Sequence, residues 1–393
     1  MSVTSYLRSC QQALKTLTTL PFAKQNITLV VGNESADLDS CVSSIAYGYL
    51  ATLKAGSGEL TIPVLNLPRE DIKLRAELSL LLRSVDVSEG DLVCRDELPI
   101  EVRNADRIPF VLLDHNHFKL EGIVAEKVAV KAIIDHHVDE RLYLNASPRI
   151  IRPCGSCTSL VVDHFSELWS RAQMEGETQL SLMALSAILI DTSRLSNQTT
   201  ETDFDIVKFL RSRLIGTQSW DESKQYKALQ QAKRDVTGLS FAQLLRDYKE
   251  WDLGSDVGFW GISSITTSMD ELLSMTNWQD DLETHCANRK LDVYMIMVSR
   301  PVILALTLTN QTKHGEKELL IYLVSNAKKL YYDNFIEKAT TEMLLKDWKS
   351  LSFKLDNLRI FQQGELSATR KKVASICQSI KPAKQGENEL SSL

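Results

Sequence analysis

Nowhere in the 393 residues does an apolar run approach the roughly 20 that a membrane-spanning helix needs, so the sequence predicts a soluble chain with no membrane partner. Cysteine is scarce and odd in number, at seven. Cys154 and Cys157 form a lone C-x-x-C without a second pair at zinc spacing. Reduced thiols in an intracellular protein are therefore expected, rather than a disulfide scaffold. Sixteen glycines, nine prolines and no repeat or low-complexity block exclude a collagen or a disordered tail protein. An excess of basic charge is also missing. Lys and Arg number 45 against 51 Asp and Glu, a net charge of −6, which speaks against a uniformly basic nucleic-acid coat but leaves room for a local basic patch.

One absence is local. Met1 to Asn33 contains no acidic residue and a single Arg, Arg8. Cys10, Leu14 and Leu17 fall at helical spacing before Pro21, which reads as the first helix of the fold rather than a presequence. No secretory signal is visible. The expected location is the cytoplasm, with room for a minor mitochondrial pool.

What is present is enough for about two domains. The first half alternates short apolar runs with helical patterns. Strands are expected at Ile27–Val31, Thr61–Leu67, Pro109–Leu113 and Val128–Ile134. Val42, Ile45, Ala46 and Tyr49 mark one face of a helix. This pattern implies a parallel sheet covered on both faces. The helix around Asp205–Leu214 closes that half, and a linker is placed at 216–222. The second half reads as α+β: a helical region over 223–249, then strands at Leu291–Val298, Val302–Leu308 and Glu318–Val324 with antiparallel pairing. The domains expected are 1–215 and 223–380, with a polar tail over 381–393.

The acids fall at the ends of the apolar segments. The first strand runs into Asn33-Glu34-Ser35-Ala36-Asp37-Leu38-Asp39, the third ends at Asp114-His115-Asn116-His117, and the fourth at Asp135-His136-His137. A buried helix over Leu182–Ile190 ends at Asp191-Thr192. Ligands of open α/β sheets bind beyond the carboxyl ends of the strands, so four acid-bearing loops are expected to converge on one cleft. Packed carboxylates repel unless cations or protons compensate. Aspartate with a few imidazoles and no cysteine suits Mg²⁺, Mn²⁺ or Co²⁺. Two such cations about 3.5–4 Å apart, sharing a carboxylate, could activate water for attack on phosphorus. Taken singly, each motif has a plainer reading: an Asp-x-Asp that caps a helix, a solvated His-His, an acid at a helix end. Joint occurrence at successive segment ends favours the metal site. Met295 and Met297 read as core, and Cys41 as a small buried residue.

These motifs resemble the DHH phosphoesterases. Asp135-His136-His137 resembles the signature triplet. Gly32–Ser40, Asp114-His115-Asn116 and Ile188–Thr192 resemble the other three motifs in the family's order, and Gly155-Ser156-Cys157 the small-residue turn after the triplet. Arg246–Lys249 and Thr369–Lys372 resemble the phosphate-binding motifs of the DHHA2 domain, which accompanies family II pyrophosphatases, prune proteins and fungal exopolyphosphatases. The first motif and the intact triplet most closely resemble the fungal exopolyphosphatases.

The resemblance implies an α/β fold: an N-terminal parallel-sheet domain, a C-terminal α+β domain with a mixed sheet, and an active site in the cleft between them. It implies two divalent cations. Asp37 and Asp114 would hold the first, and Asp39, Asp114, His136 and Asp191 the second. His137 would face the substrate as proton donor or electrostatic stabiliser. Lys249, Arg370 and Lys371 would reach the phosphates; without the resemblance, Thr369–Lys372 reads as a solvated helix face. Asn33, His115 and Ser156 are further substrate-side candidates, although His115 also reads as a residue supporting the metal ligands. Asn33 departs from the pyrophosphatases, which have a metal-binding histidine there. The implied reaction is hydrolysis of terminal phosphoanhydrides of inorganic polyphosphate by a monomer without a nucleic-acid partner. A prune-type or family II pyrophosphatase, a nucleotide phosphodiesterase and a regulatory binding protein on the same fold are the rivals. A RecJ-type nuclease is disfavoured by the DHHA2-like second half.

Overall fold

The computed structural model describes residues 1–16, 26–56, 58–171, 174–217, 220–246, 248–300, 316–348 and 355–380. The chain divides into two compact units, Met1–Asp235 and Val236–Leu393. The helix Glu222–Ala232 packs on Ala76–Ser84 and Glu177–Asp191 within the first unit, so the division falls beyond the 216–222 stretch.

The first unit carries six strands: β1 (Ile27–Val31), β2 (Leu60–Leu65), β3 (Val93–Cys94), β4 (Ile108–Leu113), β5 (Val128–Asp135) and β6 (Arg149–Ile151). They form one parallel sheet in the order β3-β2-β1-β4-β5-β6. The five residues of β1 are all buried, as a strand covered on both faces demands. β3 and β6 are only two and three residues long, too short for periodicity to reveal. From β1 the chain builds outward through β2 and β3, then returns to the other side of β1 for β4, β5 and β6. The reversal lies between β1 and β4, where loops diverge at the carboxyl ends and leave a crevice. Asn33–Asp39 and Asp114 leave the sheet at those two ends.

The helix Leu38–Ala55 packs on β2 and against the helices Cys157–His164 and Glu177–Asp191. It is buried nearly all round, so its apolar stripe understates its burial. The first helix, Val3–Thr16, buries Val3, Tyr6, Leu7, Cys10 and Leu14, in agreement with its spacing; Leu17 and Pro21 lie outside the described residues. The Tyr6 hydroxyl, fully buried, donates to the Thr61 carbonyl. Gly48 leaves the room for it: a Cβ there would lie 2.3 Å from the Tyr6 hydroxyl oxygen.

The second unit has strands β7 (Tyr248–Asp252), β8 (Phe259–Ile265), β9 (Val293–Arg300), β10 (Glu316–Leu323), β11 (Leu345–Asp347) and β12 (Leu358–Gln363), in the order β11-β12-β10-β9-β8-β7. Among the described strands β8 and β9 alone pair in parallel, so the sheet is mixed. Side chains alternate along β9. Met295 and Met297 enter a core with Trp260 and Phe335, whereas Ile296 and Val298 enter a second core with Phe241 and Trp278. Helices therefore cover both faces, Lys329–Glu342 and Arg370–Ser379 on one, Phe241–Leu244 and Trp278–Arg289 on the other.

The helical region expected over 223–249 is corrected. Helix ends at Ala232, Gly238 takes φ +80°, Ser240 opens a short second helix through a capping box, and Tyr248–Asp252 is strand. Pairing with β8, Trp251 opposite Trp260, overrides the local helical pattern. The strand expected at Val302–Leu308 and the 381–393 tail lie outside the described residues. Among the described residues, no helix is long and apolar enough to cross a membrane.

Gly48→Ala should lower the unfolding free energy by about 1–3 kcal/mol, the usual cost of overpacking, because the new methyl displaces the Tyr6 hydroxyl from Thr61. Urea unfolding checks this, and an unchanged midpoint would mean the Tyr6–Thr61 contact is dispensable.

Candidate metal centre

Asp37 and Asp39 sit at the start of the helix Leu38–Ala55 and do different work. Asp37 is its N-cap and accepts from the Ser40 N–H at 3.1 Å. Asp39 is buried in the first turn, and its carboxylate reaches across to the start of the helix Cys157–His164. There it accepts from Ser156 Oγ (2.6 Å), Cys157 N (2.7 Å), Thr158 N (2.9 Å) and Thr158 Oγ1 (2.6 Å). One carboxylate thus satisfies the first amides of a second helix and gains from the positive ends of two helix dipoles.

Asp114 follows β4 with φ +63°, a left-handed conformation that Asp adopts more readily than most residues. Its N–H donates to the Ile134 carbonyl at 3.0 Å. Oδ2 accepts from Ser40 Oγ (2.6 Å) and Asn33 Nδ2 (2.7 Å). Oδ1 is buried and has no hydrogen-bond partner; it lies 3.1 Å from His136 Nε2 and 3.6 Å from His137 Nδ1.

The two histidines are oriented from behind. His136 Nδ1 lies 3.0 Å from the Cys154 carbonyl, which can only accept, so Nδ1 carries a proton and Nε2 faces the acids. His137 Nδ1 pairs with Asp135 Oδ1 at 2.8 Å, leaving Nε2 on a half-exposed ring. Asp135, fully buried, also accepts from the His137 N–H and from Asn116 Nδ2.

The charges are strained in one direction. Burial, then the neighbouring Asp39 and Asp37, push the Asp114 carboxyl up to about 7 against the opposing pull of His136 and Ser40. Burial and the charges of Asp39 and Asp37 push Asp191 up to about 8. Burial opposes protonation of His136, but Asp114, Asp39 and Asp191 outweigh it and raise the imidazole. Asp135 raises His137. Burial acts to raise Asp135 itself, yet the bonds from His137 and Asn116 hold it below the usual carboxylate range.

Two groups of donor atoms lie close enough to share an ion: Asp114, His136 and His137, and Asp39, His136 and Asp191. All are hard oxygen or imidazole donors, and Asp114 Oδ1 is a buried acceptor that no aligned hydrogen bond satisfies, with His136 Nε2 facing it at 3.1 Å. The nearby thiols turn elsewhere, Cys154 Sγ to Asp203 and Cys157 Sγ to the Ile134 carbonyl. The set fits divalent cations. Asp37 belongs to neither close group, and its charge acts on Asp114 and Asp191 from alongside.

The other expected site residues divide. Asn33 does not offer its amide oxygen to the acids: Oδ1 accepts from Ser35 N and Oγ, while Nδ2 donates to Asp114. Ser156, expected on the substrate side, is fully buried with its hydroxyl committed to Asp39. His115 pairs Nδ1 with the Leu113 carbonyl at 2.8 Å, and its Nε2 is buried without a partner. In the second unit, Lys249 is exposed on β7, and Arg370 and Lys371 open the helix Arg370–Ser379 behind the N-cap Thr369. Sequence reasoning gave no role to Ser40, Asn116, Asp135, Thr158 or Asp203, each of which orients a site residue or its support. Ser40 and Asn116 sat inside quoted motifs; Asp203 carries only a capping-box spacing from Thr200.

Fold and donor set together define a cation-binding α/β protein. Residues 27–190 match the model of the DHH family, N-terminal domain, and residues 227–380 that of the DHHA2 domain. A Schizosaccharomyces pombe protein named "Putative exopolyphosphatase" is 32% identical, the match covering 89% of this chain and 90% of that protein. The chain belongs to the DHH family, with a DHHA2 domain in its second half. The mouse protein "Exopolyphosphatase PRUNE1" is 26% identical over 95% of this chain and 78% of its own length. A crystal structure titled as a Methanococcus jannaschii "putative family II inorganic pyrophosphatase" shares the fold, with a TM-score of 0.54 at 19% identity, covering 90% of this chain and 98% of that one.

Raised carboxyl and imidazole groups hold protons more tightly in the folded than in the unfolded chain, where Asp titrates near 4 and His near 6.5, both approximate. That stabilisation is complete at low pH and is lost as pH rises through about 7 to 8 for the two carboxyls and through about 10 for His136. A cation takes the protons' place. The stabilisation produced by Mn²⁺, read as a rise in Tm, should therefore be small at pH 6 and grow to pH 9, where a hundredfold excess over Kd is worth about 2.7 kcal/mol. Scanning calorimetry with Mn²⁺ and with chelator decides it; a pH-independent increment would contradict these titrations.

Proposed function

We propose that this chain is a divalent-cation-dependent exopolyphosphatase, releasing orthophosphate from the ends of inorganic polyphosphate. The observation that carries the reading is the buried Oδ1 of Asp114, without an aligned hydrogen bond, facing both imidazoles of an intact Asp135-His136-His137 triplet. The names of the S. pombe and mouse relatives support the substrate class. Two cations, Mg²⁺ or Mn²⁺ with Co²⁺ as a further candidate, would be held by Asp37, Asp39, Asp114, His136 and Asp191, with Asp114 shared. When bound, such cations lower the pKa of a coordinated water and stabilise charge on the phosphoryl oxygens.

The chain's own residues do the rest. Asn33 and Ser40 fix Asp114, and Ser156, Cys157 and Thr158 fix Asp39, so the acids are placed before any ion arrives. Asp135 favours the charged form of His137, whose half-exposed ring would serve as proton donor to a leaving phosphate oxygen or as an electrostatic stabiliser. His115, Lys249, Arg370 and Lys371 would meet the phosphates, Arg in bidentate fashion and Lys as a point charge. The non-enzyme reading, a binding protein that kept the fold, is disfavoured by the complete set of acids and both histidines.

A phosphate-release assay on pyrophosphate, tripolyphosphate and long polyphosphate tests the proposal. Asp114→Ala should lose several orders of magnitude in kcat, and Arg370→Ala should mainly raise KM, by roughly 1.5–3 kcal/mol of charged hydrogen bonding. Gels of long polyphosphate should show orthophosphate without mid-length fragments at early times. Chelator-resistant turnover, or a ladder of internal fragments, would overturn the reading, and preference for pyrophosphate would replace the substrate with the shorter one.

A further inference from the structure

The group Asp39, His136 and Asp191 comes from three distant parts of the chain, yet Asp39, His136 and the residue after Asp191 all meet one turn, Cys154-Gly155-Ser156-Cys157. The Cys154 carbonyl accepts from His136 Nδ1 at 3.0 Å. Ser156 Oγ and Cys157 N donate to Asp39. Gly155 lies against Thr192, the residue after Asp191, so closely that a Cβ would stand 2.6 Å from Thr192 Cγ2.

Something must hold that turn from its other side, and a single buried carboxylate does so. Asp203, fully buried at the start of the helix Glu201–Arg213, accepts from Gly155 N (2.8 Å), Cys154 Sγ (3.2 Å) and Ser159 Oγ (2.7 Å). It also accepts from its own cap, Thr200 N (2.8 Å) and Thr200 Oγ1 (2.9 Å). These bonds outweigh the cost of burial and keep its carboxyl below the ordinary range. The turn is thus clamped between Asp39 and Asp203, and a Cβ on Gly155 would also come within 2.9 Å of Asp203 Oδ2.

We infer that Asp203 is a positioning residue for one cation site: by anchoring the Cys154–Cys157 turn it fixes Asp39, His136 and Asp191 together, without touching an ion. The inference rests on the proposed two-cation reading. It weighs unequally on the two donor groups: His136 is common to both, but Asp114 is held by Asn33 and Ser40, and His137 by Asp135, away from the turn.

The test is a Mn²⁺ titration of the full chain, free ion being read by electron paramagnetic resonance, for wild type, Asp203→Asn and Gly155→Ala. Gly48→Ala serves as a destabilised control remote from the turn. Wild type should bind two ions. In Asp203→Asn and Gly155→Ala one of the two should weaken about 10- to 100-fold, the usual scale for losing support behind a metal ligand, and the other, which shares only His136 with it, should weaken clearly less. Gly48→Ala should keep both affinities despite its lower Tm. If Asp203→Asn does not fold, Gly155→Ala carries the same expectation. Unchanged affinities in the turn variants, or equal weakening at both sites, overturn the positioning role and leave the metal reading intact. A wild type that binds no Mn²⁺ overturns both.

Discussion

Mutual repulsion of buried carboxylates is the constraint around which the first unit is built. Asp39 and Asp114 lie almost wholly out of water, with Asp37 and Asp191 close enough to act on them. Such a cluster costs folding free energy unless each charge finds donors. The surroundings supply them: two amides at one helix amino terminus and two hydroxyls for Asp39, an amide and a hydroxyl for one oxygen of Asp114. The remaining oxygen of Asp114 and the raised groups around it are where the supply stops. A protein under selection for stability alone would complete the set. Here the deficit is matched by what a cation would provide.

The sheet explains why the acids can meet at all. Separated by some 75 residues of chain, the β1 and β4 loops become neighbours because those two strands pair at the point where the strand order reverses. The register places Val31 beside Leu112, so Asn33 and Asp114 leave the sheet at nearly the same height. The bond from Asn33 Nδ2 to Asp114 follows from that register. At this position the family's pyrophosphatases have a histidine, by the resemblance noted above; here the side chain serves the acid rather than an ion.

Much of this was legible in the sequence. Strands β1, β2, β4 and β5 are long, apolar and β-branched, and each major acid stands just past an apolar segment, so the parallel sheet and its acidic edge could be read directly. The mixed sheet was harder. Tyr248–Asp252 pattern as helix and become strand only through pairing with β8, a tertiary effect that no local window contains. The same limit hid Asp203, and it hid the work of Asp135, an acid legible at the end of its strand but not as the support of His137 and Asn116. Buried acids that hold other groups look like surface charges until the fold closes over them. Ser156, a substrate-side candidate by resemblance, has its buried hydroxyl on Asp39, a contact between residues 117 positions apart that no local pattern contains.

The central claim is that the unsatisfied acids are a cation site, and anomalous diffraction from crystals grown with Mn²⁺ tests it most directly. Data on either side of the manganese edge should show density between Asp114, His136 and the remaining acids, one peak touching Asp114 Oδ1 and another within the Asp39–His136–Asp191 group. No anomalous density there at saturating Mn²⁺, with the carboxylates instead protonated and bonded to one another, would contradict the account.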